Sequence, residues 1–438
     1  MSRRVASETS DPSLLAQPLH FEFSGKVAPN RFMKASMTER LSSWDPENFE
    51  ARGIPGAEIH RVYERWGAGG LGHILTGNIM LEYDQLEAAG NLIIPPGAPF
   101  EGDRFDGFRK LATLAKKHGS LITGQVCHPG REVDERIQKH PVSASDIQLE
   151  GKVLGMQFAK PHSASPQEIK TIVEEFTHSA IYLAKAGFDG IELHAAHGYL
   201  LGQFLSLTTN RRTDEYGGSL RNRARIILEI AAAIRSRLGS GSGFILGIKV
   251  NSVEFQSGGF TVEEARELCA MLENAEFDFV ELSGGTYQSM AFHHQRESTK
   301  KREAFFMEFA DMIVPTLTKT KTYITGGFKT VGGMTKALET VDGVGLARAL
   351  CQEFDLARNI LEGRVTGVIQ PLVDQDDFFL TNVIAGSQMR QVAKGQEPMD
   401  MSKPENVPTF MQALAEWSRK NEEDKLTMSL YGYVDLDV

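Results

Sequence analysis

KAGFDGIELHAAHGY, residues Lys185 to Tyr199, carries the reading that decides the fold. A helical stretch ends in Lys185-Ala-Gly187 and a strand-like run, Gly190-Ile-Glu-Leu193, follows it. A polar set, His194-Ala-Ala-His197-Gly-Tyr199, comes directly after the strand. Helix, strand, then chemistry at the strand's C-terminal end is the repeating unit of an α/β protein. Two imidazoles and a phenol gather two hydrogen-bond donors and a proton source at one strand end. Such a set suits a site that grips a carbonyl oxygen and protonates a nearby carbon.

Outward from that unit the alternation repeats. Strands are expected at Arg31–Ala35, Gly72–Thr76, Leu121–Gln125, Gly190–Leu193, Phe244–Val250, Phe277–Leu282, Thr322–Thr325 and Gly343–Leu346. Helices are expected at Ala57–Trp66, Phe105–His118, Pro166–Ala186, Leu220–Leu238, Thr261–Ala275, Ala304–Leu317, Val331–Glu339 and Gln352–Leu361. Ser165-Pro166 with Glu168, and Thr261 with Glu264, read as helix starts. Eight such units point to a (β/α)8 TIM barrel. A doubly wound open sheet is the runner-up, but no Gly-x-Gly-x-x-Gly follows the first strand to support it. Residues 1–17 are polar and unpatterned and are expected to be disordered. The barrel then covers 18–365, with a long insertion, roughly Pro129 to Ser165, after the third strand. Residues 366–438 form a C-terminal extension packed on or beside the barrel, in which Thr409–Lys420 reads as an amphipathic helix with Phe410, Leu414 and Trp417 on one side. No repeat is visible beyond the alternation itself.

Composition narrows the function. The chain has 438 residues, 41% hydrophobic and 24% charged, with net charge -10. That balance argues against nucleic acid or an anionic membrane as the main partner. No run approaches the roughly 18 apolar residues of a membrane span. The three cysteines, Cys127, Cys269 and Cys351, lie far apart, so neither a zinc ribbon nor a cysteine-ligated cluster is supported. A cytoplasmic location is the simplest expectation.

In a barrel the chemistry sits at the C-terminal strand ends. Those ends read Ala35-Ser-Met-Thr38, Thr76-Gly77-Asn78, Gln125-Val-Cys-His-Pro-Gly-Arg131, His194 to Tyr199, Lys249 with Asn251, Glu281-Leu-Ser-Gly-Gly285, Thr325-Gly326-Gly327 and Leu346-Ala347-Arg348. Glycines at the seventh end and an arginine at the eighth suit a phosphate: backbone N–H groups approach closely and a guanidinium adds charge-assisted bonds. A buried Lys249 needs a partner, for which a carboxylate such as Glu281 would serve.

Taken in order, these ends resemble the Old Yellow Enzyme family of FMN-dependent NAD(P)H oxidoreductases, in its single-domain branch. The resemblance covers about residues 17 to 365, and also includes Asn30-Arg31, Trp66-Gly-Ala-Gly-Gly70 and the loop Asn210–Arg223. It implies tightly but non-covalently bound FMN, with NADH or NADPH as reductant. Ala35, Thr38, Gly77, Gln125 and Lys249 would line the flavin, with Lys249 near the edge where negative charge collects on reduction. Gly326, Gly327, Ala347 and Arg348 would hold its phosphate. His194 and His197 would bind the carbonyl of an electron-poor alkene, and Tyr199 would protonate the α-carbon. Apart from the resemblance, Tyr287 and Phe292, past the sixth strand, are candidates to line the substrate pocket, and His293-His294 reads as exposed loop. One mouth used in turn by nicotinamide and enone implies ping-pong kinetics. Ser36 stands where many relatives have proline, Thr38 where one branch has cysteine, and Lys249 where some have arginine. No metal is expected. The rival readings are a zinc hydrolase using His128, His194 and His197, and a flavin-binding protein that does not turn over. The expected partners are an enone or related small molecule and the nicotinamide cofactor, with a homo-oligomer left open; the physiological substrate is not encoded in any motif.

Overall fold

Eight buried runs form the strands of a computed structural model that describes residues 2–152, 155–239, 241–254, 256–285, 307, 309–424 and 427–436. They are β1 (Phe32–Lys34), β2 (His73–Met80), β3 (Leu121–Cys127), β4 (Gly190–Ala195), β5 (Ile245–Asn251), β6 (Phe279–Ser283), β7 (Lys321–Thr325) and β8 (Gly343–Leu346). Each pairs in parallel with its neighbours in chain order, and β8 returns to β1, which pairs with β2. The ring is closed, so the fold is the expected (β/α)8 barrel rather than an open sheet. Helices α1 (Ala57–Gly67), α2 (Gly102–Lys116), α3 (Pro166–Lys185), α4 (Arg225–Leu238) and α5 (Val262–Asn274) follow β1 to β5 in turn, and α6 (Val331–Ala337) and α7 (Leu356–Leu361) follow β7 and β8. Both expected capping boxes, at Ser165 and Thr261, are formed.

The interior is filled in layers. An N-terminal hairpin, Leu19–His20 against Val27–Ala28, lies at the floor and inserts Phe21 beside His73 and Phe279. Met33, Leu75, Phe279 and Tyr323 complete that apolar layer. Small residues oppose the large rings: a Cβ on Gly247 would lie 2.2 Å from the Phe279 ring, and one on Gly343 would lie 2.3 Å from Tyr323. Three aspartates brace the strand starts. Asp189, Asp278 and Asp342, each one residue ahead of β4, β6 and β8, accept hydrogen bonds from the backbone N–H of Ile122, Leu246 and Thr322 on the preceding strand. This is a repeat that the sequence reading missed.

Other expectations are corrected. Residues 2–17 are packed: Arg4 pairs antiparallel with Ile369, its guanidinium bonds Glu353, and Leu15 is buried. The partners of Arg4 and Val5 lie more than 300 residues away, so no local pattern reveals them. The second strand runs on to Met80 through a bulge between Leu75 and Asn78, which puts Thr76-Gly77-Asn78 inside it. The helix expected over 220–238 is broken at Ala224, and that over 352–361 becomes Ala349–Gln352 and α7. Most of the expected helix at 304–317 falls outside the described residues; 309–313 are helical. A helix not foreseen, α8 (Phe378–Ala393), packs on α1. The amphipathic segment is α9 (Asn406–Glu423), with Phe410 buried and Leu414 and Trp417 against the core. Among the described residues no helix is long and apolar enough to cross a membrane.

Candidate active site

The end of β4 is drawn together by a tight reversal. His197 has φ 60 and Gly198 φ 92, two successive left-handed residues, which turn the chain back so that the Tyr199 ring lies 4.6 Å from His194. The His194 and His197 rings are 5.2 Å apart. Glycine is required at 198 on two counts: its φ, and the Glu132 carboxylate, whose Oε1 would be 2.2 Å from an added Cβ. Two further strands hold His197 in place. Its backbone N–H donates to Asn251 Oδ1 on β5 at 3.2 Å, and its Nε2 lies 2.8 Å from the Ser283 hydroxyl of β6.

The protonation of His194 follows from its partner. Its Nδ1 lies 3.3 Å from the backbone N–H of Ala196, which can only donate. Nδ1 is therefore the acceptor and Nε2 carries the hydrogen. Burial, then the neighbouring His197 and Lys249, hold His194 well below the usual histidine range. Burial and Lys249 bring His197 down to about 3. Both rings are thus neutral donors at neutral pH.

Below the histidines lies a charged layer. Lys249, in register with His194, donates to Glu281 at 2.9 Å, the partner its burial called for. Gln125 donates to Glu192 at 2.6 Å. Lys34, on β1, is wholly buried, donates to the Leu75 carbonyl at 2.9 Å and sits 4.2 Å from the Trp66 ring centroid. The sequence reading passed over Glu192 and Lys34. For Glu192 a signal existed: it shares the alternation phase of His194, two positions on, so it points to the same interior.

The remaining expected residues that the structure describes lie at or near the C-terminal ends of the other strands. Ala35 is buried and bonded through its N–H to Leu346. Thr38 accepts from Asn78 at 3.4 Å. Gly77 gives its N–H to Glu39 at 2.8 Å, so that amide is committed within the protein. Gly327 is exposed with φ 69, and among the described residues nothing lies within 4 Å of where its Cβ would be. Arg348, next to Ala347 after β8, donates to the Thr381 hydroxyl of α8. Tyr287, with Phe292 and His293-His294, lies outside the described residues. Cys127 packs with Met80, Leu86, Ile93 and Tyr199, and burial pushes its thiol well up, which fits packing rather than nucleophilic work. The Asn210–Arg223 loop is a brace: Asn210 bonds the carbonyls of Phe204 and Tyr216, while Arg212 reaches the carbonyls of Ala144 and Ala164 in the insertion. No group of three His, Cys, Asp or Glu among the described residues is placed to hold a metal.

The layout fits FMN. An ammonium and a carboxamide stand at one side of the mouth, and a guanidinium with side-chain-free backbone stands at strand ends seven and eight, where a phosphate needs both charge and space. A profile of the NADH:flavin oxidoreductase / NADH oxidase family matches residues 17–366. The chain is 49% identical over 422 residues to the NADH-dependent flavin oxidoreductase nadA of Aspergillus parasiticus, covering 96% of this chain and 95% of that one. Morphinone reductase in complex with tetrahydroNAD is similar at TM-score 0.64 and 23% identity, over 82% of this chain and 93% of that one. The old yellow enzyme homologue from Zymomonas mobilis gives 0.64 at 19% identity, over 81% and 94%. At such identities the two structures speak for the fold alone.

Proposed function

Since the chain belongs to the NADH:flavin oxidoreductase / NADH oxidase family, and is an FMN-dependent oxidoreductase of the Old Yellow Enzyme type, we propose that it reduces α,β-unsaturated carbonyl compounds. The observation that carries this reading is the packing of two neutral imidazoles and a phenol at one strand end, with rings 4.6 and 5.2 Å apart. FMN, when bound, would supply the hydride, and NADH is the reductant this reading favours, because the relative similar over 96% of this chain is named for it.

The chain's own residues do the rest. His194 presents Nε2–H to the carbonyl oxygen, and His197 presents Nδ1–H when the Ser283 hydroxyl donates to its Nε2. Charge drawn onto the oxygen makes the β-carbon accept hydride, and the Tyr199 hydroxyl gives its proton to the α-carbon. Thr38, Gln125 and Lys249 would meet the polar edge of the flavin, beside Ala35 and Gly77; Gly326, Gly327, Ala347 and Arg348 would hold its phosphate. Nicotinamide and enone use one mouth in turn, which gives ping-pong kinetics. Three cysteines without a disulfide among them fit the cytosol.

Stopped-flow half-reactions test the assignment. In Tyr199→Phe, reduction by NADH stays close to wild type, while reoxidation by an enone slows roughly 10²–10³-fold, the usual worth of a general acid. Equal impairment of both halves, or of neither, rejects Tyr199 as the donor. A wild-type protein that bleaches with NADH but recovers no colour with any enone rejects the substrate class and favours a flavin-binding protein without this turnover.

A further inference from the structure

The charged layer under the histidines has a feature that carbonyl binding and proton donation do not use. Glu281 spends one oxygen on Lys249, and Glu192 spends one on Gln125. The other two oxygens, Glu281 Oε2 and Glu192 Oε1, are buried without a hydrogen-bond partner among the described residues. The two carboxyls stand on β4 and β6, either side of the Lys249 strand, close enough for each to act on the other's charge. Two bare carboxylates so placed would repel strongly away from water and leave both spare oxygens unsatisfied; one proton between them removes both costs.

We propose that Glu192 and Glu281 act as one proton-sharing unit of single negative charge that screens Lys249, and so sets the reduction potential of the flavin. The proposal rests on the assignment of Lys249 to the flavin's polar edge. A bare ammonium there would stabilise the reduced flavin more than hydride delivery requires, whereas a screened one leaves it a stronger reductant. Burial, then repulsion from Glu281, pushes the Glu192 carboxyl well up. Burial pushes Glu281 up as well, but the Lys249 ammonium 2.9 Å away outweighs it and holds it low. The other titratable groups facing the layer leave this balance standing. His73, His194 and His197 are neutral, and Lys34, which faces Glu281 and Lys249 from β1, is pushed down by burial.

The arrangement makes a non-additive prediction. Removing either carboxyl leaves the other without its shared proton, still one negative charge beside Lys249. Removing both unmasks the ammonium. In dye-coupled titrations of the FMN-loaded proteins, Glu192→Gln and Glu281→Gln each change the equilibrium constant for two-electron reduction by less than about threefold, roughly half of a 30 mV decade. The double variant raises it at least about tenfold, or about 30 mV. Additive shifts, or no shift in the double variant, overturn the proposal. Infrared difference spectra give a second readout that does not depend on the double variant folding: wild type minus Glu192→Gln shows one protonated-carboxyl band, the buried Glu132 and Glu175 cancelling because they are common to both, and the absence of that difference band overturns the proposal. A wild-type protein that takes up no FMN defeats the flavin assignment itself. Normal FMN binding with additive potentials defeats only the shared-proton unit.

Discussion

The two ends of the mouth are built in opposite ways. At β4 the side chains pack on one another: His194 touches Tyr199 and His197, and His197 is held from two more strands. At β7 and β8 the chain withholds side chains, with Gly327 exposed and none of the described residues near it, and one guanidinium tied back to α8. A group that must hold a proton and an oxygen at fixed places needs preorganised partners. A group that must admit a phosphate needs backbone N–H and empty space. The difference is one of chemistry rather than stability, and it can be broken at either end.

The largest effect comes from filling equivalent glycines. Gly198→Ala meets both a left-handed φ and the Glu132 carboxylate, and we expect a loss of roughly 2–4 kcal/mol, combining the left-handed penalty with overpacking. Gly327→Ala meets only the backbone penalty and should lose about 1 kcal/mol. Urea midpoints of the two variants check this, and equal losses would erase the contrast.

Acid comes next. Both histidines at the packed end have depressed pKa values, His197 at about 3. The unfolded chain takes up those protons below about pH 6.5 while the folded chain does not, so their effect is to lower stability as pH falls from about 6.5 toward 3. Comparing urea midpoints at pH 7 and pH 5, His197→Asn should lose less stability on acidification than wild type does. An unchanged pH dependence would contradict neutral burial of that ring. The smallest effect belongs to the open end. Thr381→Val removes the tether of Arg348 and should weaken FMN binding by about 1 kcal/mol, roughly fivefold, read by fluorescence titration.

Much of this was legible because barrel strands alternate and their ends carry the chemistry. His194, Tyr199, Lys249 and Glu281 were found that way. What escaped was nonlocal or out of phase with simple patterns. Arg4 and Val5 have partners in the 353–370 region, and α8 is buried on most of its surface, so neither segment shows a period of its own. Asp189, Asp278 and Asp342 carry no signal of their own, because their backbone partners stand on the preceding strand of the barrel. Gly77 was read as a flavin contact from its position, but its amide is spent on Glu39, a residue no motif had singled out.

The central claim is that Gly326, Gly327 and Arg348 receive a phosphate while the β4 cluster receives a carbonyl. Affinities for FMN and riboflavin, measured on wild type and Arg348→Met, test it most directly. The account predicts that wild type prefers FMN by at least about tenfold, the worth of one charge-assisted hydrogen bond, and that the preference collapses in the variant. Equal affinity of the wild-type protein for the two flavins would contradict it.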